Sequence, residues 1–149
     1  MILQQLLGQI AAAKFLEENF FRSPFALPGG CRGVIDWDAA TTCTRLLPQE
    51  GLDLLVTREG KPWEGPPVNS AEIGQAALAE GYTLCIRHAD RHDEVLAKLA
   101  ADFQADFAAP IDVHVYCTPA ERPGFGWHYD AEEVFILQTE GTKEWWLRK

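Results

Sequence analysis

The chain has 149 residues, 47% of them apolar and 11% aromatic, with a formal net charge of -9 at pH 7. That length supports one domain with a substantial core and is too short for two. A surface this acidic repels phosphate backbones and disfavours direct nucleic-acid binding, and no apolar run approaches the roughly 20 residues of a membrane span. Met1 to Leu7 lacks the basic start of a secretory signal. The four cysteines, Cys31, Cys43, Cys85 and Cys117, form no CxxC pair. Scattered thiols of this kind read as reduced residues of a cytoplasmic protein.

Leu3, Leu6, Leu7, Ile10 and Ala13 recur at helical spacing, which predicts an amphipathic helix over residues 2–13, continued or restarted by Lys14 to Phe21. Ser23-Pro24 breaks it. Phe25-Ala26-Leu27 reads as a short strand before Pro28-Gly29-Gly30. A helix is expected from Asp36 to Leu47, stopped by Pro48. Leu52 to Thr57 is a strand candidate, and Lys61 to Val68 is loop.

Asn69-Ser70-Ala71-Glu72 resembles a capping box before a helix of about ten residues, which Gly81 closes. Tyr82 to Ile86 reads as a buried strand. Asp90 is expected to cap a longer helix with the stripe Val95, Leu96, Leu99, Phe103 and Phe107. Ile111 to Cys117 alternates as a strand. Val134 to Thr139 and Thr142 to Leu147 flank Glu140-Gly141 as a hairpin, which sets Thr139 opposite Thr142 and Gln138 opposite Lys143.

Between the last two strand regions stands Gly124-Phe125-Gly126-Trp127-His128-Tyr129-Asp130. In extended backbone, positions i and i+2 share a face, so His128 and Asp130 can converge on one ion. An imidazole and a carboxylate are two thirds of the 2-His-1-carboxylate set that holds Fe(II) and leaves positions open. The bland alternative is a chance HxD spacing with a structural histidine. Lys143 is either a solvated edge lysine that deters sheet pairing or the counter-ion of an acid.

The run Tyr116-Cys117-Thr118-Pro119, then Gly124 to Asp130, Val134 to Gln138 and Glu140 to Trp145 resembles the JmjC-type, cupin-fold 2-oxoglutarate oxygenases, and within them the ribosomal oxygenases. The likeness is dense over residues 110–149, looser from Gly81 to Phe107, and touches Phe15 to Leu27. It implies an α+β fold: a single domain, mainly helical with short strands over 1–109, with the first core strands of a double-stranded β-helix (jelly-roll) over 110–149 and the barrel incomplete. It implies that His128 and Asp130 bind Fe(II), that Lys143 pairs with the distal carboxylate of the co-substrate 2-oxoglutarate, and that Tyr116 hydrogen-bonds the same group. It implies hydroxylation of a protein, and the acidity favours a basic, ribosomal-protein-like substrate.

Two departures stand out. His114 occupies a place where that family commonly has asparagine. The family's second metal histidine follows the first pair by several strands, whereas His88, His92 and His114 all precede it. The chain is therefore expected to be the N-terminal portion of the enzyme, inactive alone, with an exposed sheet edge open to homo-oligomeric association. Two other readings stay open. One is a non-catalytic cupin-like binding module; the other is an oxygenase acting on a small molecule or a modified nucleotide.

Overall fold

The computed structural model describes residues 1–122 and 127–148. The glycine-rich loop predicted ahead of the histidine motif lies, at Gly124 to Gly126, outside the described residues. The chain divides into two compact units, one of Met1–Ile2 with Ala39–Tyr129, the other of Leu3–Asp38 with Asp130–Lys149. Among the described residues no helix is long and apolar enough to cross a membrane.

In the larger unit four antiparallel strands form an open sheet. They are β1 (Asp53–Arg58), β2 (Lys61–Pro62), β3 (Thr83–Arg87) and β4 (Val115–Cys117), in the order β2-β1-β3-β4. Alternation sorts their side chains. Leu84 and Ile86 of β3 are fully buried, and Val56 and Cys117 beside them nearly so. The opposite face carries Asp53, Leu55, Cys85, Arg87 and Tyr116, and there Leu55 and Tyr116 are about half exposed. One face is thus core and the other is open.

The unit also carries helices. Ala39–Thr41 begins one (α3) that widens into a π-type turn over Thr42–Leu46, where the Leu47 amide reaches the Thr42 carbonyl at 3.4 Å. Over it packs a second (α4, Ala71–Ala79), whose Gly74 faces Leu47 and Cys43 so closely that a Cβ there would strike the Leu47 side chain. Glycine is retained in this helix interior, despite its conformational cost, because the approach demands it. Ser70 caps the helix by accepting from the Ile73 amide at 3.3 Å. The predicted box misplaced the cap by one residue, so Glu72 stands at the second helical position. Gly81, at φ 87°, ends the element as its sequence position foretold.

The long helix (α5, Glu94–Phe107) starts three residues later than the Asp90 cap implied. Asp93 is the cap: its Oδ1 accepts from Val95 N at 2.8 Å and Leu96 N at 3.4 Å, while its Oδ2 pairs with Arg45 at 2.7 Å. Asp90 instead lies in a 3-10 turn (Ala89–Arg91) and accepts from the Val113 amide at 2.9 Å. Both aspartates suit a cap, and the long-range partner decided between them. The Asp93 side chain is 5% exposed. Asp93→Ala is therefore expected to lower unfolding stability by about 2 kcal/mol, and Asp93→Asn, which keeps an acceptor, by about half that. Urea unfolding followed by circular dichroism measures both. Equal losses would show that the cap bonds contribute little beside the ion pair.

In the smaller unit the helix predicted over residues 2–13 is two, α1 (Ile2–Leu7) and α2 (Ala12–Glu18). Gly8 turns left-handed at φ 57°, and the Gln4 side chain joins the pieces. Its Nε2 donates to the Gly8 and Ile10 carbonyls at 2.9 and 3.0 Å, and its Oε1 accepts from the Ala12 amide at 2.9 Å. One amide satisfies backbone groups that a break would otherwise strand. Phe15 of α2 meets Phe25 edge-on at 5.2 Å between ring centres, and Phe135 lies within 6.5 Å of Phe15 and 6.0 Å of Phe20. Phe25 to Leu27 carries no strand.

Neither half of the predicted hairpin over Val134 to Leu147 forms a ladder among the described residues. A two-stranded ribbon is marginal without a third strand or a covering layer. Its turn is nonetheless marked: Gly141 has φ 69°, and Gln138 Nε2 donates to the Glu140 carbonyl at 2.8 Å.

Candidate metal and co-substrate residues

Tyr116 sits in the middle of β4, directly opposite Cys85 of β3 and on the open face. Its side chain is half exposed and hydrogen-bonds the Cys85 thiol, which eases a thiol pKa that burial pushes up. A tyrosine presented this way has a rigid backbone beneath it and a hydroxyl reachable from solvent.

Lys143 lies in the smaller unit, half-buried, with its Nζ 4.5 Å from the centre of the Trp145 ring. Burial pushes its pKa below the usual lysine value. Lys143 is therefore partly desolvated. The indole face offers a cation–π partner.

His128 and Asp130 are both exposed. The boundary between the units passes between Tyr129 and Asp130, which places Tyr116 and His128 in the larger unit and Asp130 and Lys143 in the smaller. Among the described residues no group of three His, Cys, Asp or Glu side chains is arranged to hold a metal ion. The donor chemistry of His128 and Asp130 suits a divalent iron. It fits in kind and falls short in number.

His88 is tied into the sheet end. It adopts a left-handed conformation (φ 52°, ψ 39°), its Nδ1 lies 3.1 Å from Asp112 Oδ1, and its ring meets the His114 ring at 5.4 Å. Beside it Arg87 and Asp53 pair at 2.9 Å, which raises the arginine's pKa and lowers the aspartate's. The register Ile86 to Val115 sets His114 opposite Arg87. The sequence signal for this row was the alternation of Asp53, Arg87 and His114 within their strands; only the pairing register could join them.

Residues 85–149 match the JmjC domain family. A histidyl-hydroxylase described as "Bifunctional lysine-specific demethylase and histidyl-hydroxylase NO66" from Dictyostelium discoideum is 39% identical over 70 residues, covering 47% of this chain and 14% of that protein. Its namesake from Drosophila pseudoobscura pseudoobscura is 26% identical over 155 residues, covering 96% of this chain and 16% of its own length. "Ribosomal oxygenase 2" of Mus musculus is 38% identical over 65 residues, or 44% of this chain and 14% of that one. No solved structure matches.

Residues 85–149 are thus similar to the JmjC class. Within that class the chain is related to the ribosomal oxygenase branch, and it spans about a seventh of the length of the relatives just named. The α+β architecture with an open antiparallel sheet agrees with the jelly-roll that the resemblance implied.

Proposed function

We propose that the intact protein containing this chain is an Fe(II)- and 2-oxoglutarate-dependent oxygenase that hydroxylates a basic protein. One observation carries the reading: the segment matched by the JmjC family contains Tyr116, His128, Asp130 and Lys143 together. The relatives' names, which specify demethylase, histidyl-hydroxylase and ribosomal oxygenase, support a protein substrate, and a net charge of -9 favours a cationic one. His128 and Asp130 would hold the metal, with a third ligand supplied from outside residues 1–149. When bound, iron and 2-oxoglutarate supply the oxidising chemistry, and the protein supplies position and charge.

Lys143 and Tyr116 are the chain's own contribution to the co-substrate. An ammonium that is already partly desolvated attracts a carboxylate more strongly than one in bulk water. The Tyr116 hydroxyl adds a directed bond to the same group. All four cysteines are free thiols, and Cys43, Cys85 and Cys117 are buried, which supports a reducing compartment and hence a cytoplasmic location.

Lys143 provides the test. In the intact protein, Lys143→Met is expected to raise the KM for 2-oxoglutarate by about 10- to 100-fold, the worth of one charge-assisted bond. It should not lower stability. The folded pKa of Lys143 lies below its unfolded value, so the cost of burying its charge is complete at neutral pH. That cost is relieved only as pH rises through the folded pKa, and a methionine escapes it. Calorimetric binding of 2-oxoglutarate beside an unfolding curve separates the two effects. An unchanged KM would remove Lys143 from the co-substrate site.

A further inference from the structure

The open sheet face ends in a cluster of ionisable groups that the proposed reaction leaves unused. Three polar ties stitch the turn after β3 to the lead into β4. Ala89 N donates to the Val113 carbonyl at 2.8 Å, Val113 N donates to Asp90 Oδ1 at 2.9 Å, and His88 Nδ1 meets Asp112 Oδ1 at 3.1 Å. Arg91 reaches the same Asp112 oxygen at 3.6 Å. Across the strands Asp53 and Arg87 pair at 2.9 Å. His114 stands opposite Arg87 and packs its ring against His88.

The left-handed backbone at His88 is one that histidine, like asparagine and aspartate, adopts more readily than most residues other than glycine. The surrounding bonds fix this conformation, in which the imidazole packs against the His114 ring. Both rings are reachable from water: the His88 side chain is 33% exposed, and His114 is exposed.

The charges around the two imidazoles nearly cancel. Asp53, Asp90 and Asp112 set against Arg87 and Arg91 leave one net negative charge when both histidines are neutral. Protonating both leaves one net positive charge. The sign of this corner therefore depends on whether the two imidazoles carry protons. His114 immediately precedes β4 and lies two residues from Tyr116, which is on the open face. The reversal takes place next to the residue assigned to the co-substrate's carboxylate.

We propose that the His88–His114 pair is a pH-dependent charge that tunes how tightly the Tyr116 side of the site holds the dicarboxylate co-substrate. The inference rests on the reading of Tyr116 as a 2-oxoglutarate contact. Protonation of His114, backed by His88, adds a favourable potential for an anion on that face; deprotonation returns it to a mildly repulsive one. His88 and His114 act here as positioning charges and carry out no chemistry.

The experiment is calorimetric titration of the intact protein with 2-oxoglutarate from pH 5.5 to 7.5, compared with a His88→Asn/His114→Asn double variant. Asparagine tolerates the left-handed backbone at position 88, and both substitutions are polar and partly solvent-facing, so the fold should persist. A circular dichroism spectrum confirms it. The wild type is expected to bind about five- to tenfold more tightly at the acidic end, and the double variant to lose that trend. Lys143 is present in both proteins, so its titration cancels.

Binding also reports in reverse, because coupling between ligand and proton is reciprocal. Saturating 2-oxoglutarate should raise the pKa of His114 read by NMR. Parallel pH trends in the two proteins, with no shift of the His114 resonance, would overturn the proposal alone. Absence of 2-oxoglutarate binding at every pH would overturn the co-substrate reading beneath it as well.

Discussion

Replacing His128 or Asp130 with alanine is expected to lower 2-oxoglutarate turnover by the intact protein more than about a hundredfold. Removing an outer-shell partner of a metal site already costs about 10- to 100-fold, and these would be direct ligands. Both side chains are exposed, so stability should move by no more than about 0.5 kcal/mol. That separation gives the test its force, because a general loss of structure could not imitate it. Metal content and turnover should fall together, and the unfolding midpoint of the metal-free protein should stay. Full turnover in both variants would sink the metal assignment. A wild type that binds 2-oxoglutarate yet never turns it over would favour the cupin-like binding module.

The elements legible from the sequence were those with a strong local period and a closing residue. Leu84 and Ile86, bounded by Gly81, gave β3, and Ser70 with Gly81 gave α4 to within a residue. Legibility failed where a distant partner chose between equal local candidates. Asp90 and Asp93 both suit a cap, and Arg45, far off in the chain, takes Asp93. The apolar spacing of residues 2–13 is truly helical, yet Gly8 and the Gln4 side chain divide it. The stripe of α5 held at Leu96 and Phe103, with Ala100 buried beside them, while Val95 at its start is 44% exposed.

The site divides along the same line. The spacing pointed to His128 and Asp130, and the family resemblance to Lys143 and Tyr116. The half-buried setting of Lys143 and the meeting of His88 with His114 were not legible, because each depends on packing or on register. Register is a joint property of two strands, and no single stretch of sequence encodes it.

That dependence makes β3 the element whose loss should be felt most. It lies between β1 and β4, and its two faces do different work. Leu84 and Ile86 are fully buried, while Cys85 and Arg87 hold Tyr116 and Asp53 in their rows on the open face. Truncating Ile86 to alanine removes three buried carbons from a close-packed site. The expected loss is about 2–5 kcal/mol, against about 0.5–1.5 kcal/mol for Ile86→Val. Leu55→Ala, on the same sheet but 47% exposed, should cost under about 1.5 kcal/mol because less apolar area leaves contact. Domains of this size are stable by only about 5–15 kcal/mol, so the Ile86→Ala loss should also speed amide exchange across Val115–Cys117, the strand that carries Tyr116. Urea unfolding and hydrogen exchange measure the two consequences separately. If Ile86→Ala proved no costlier than Leu55→Ala, the face taken here as core would be the wrong one, and Tyr116 would point into the protein instead of toward a ligand.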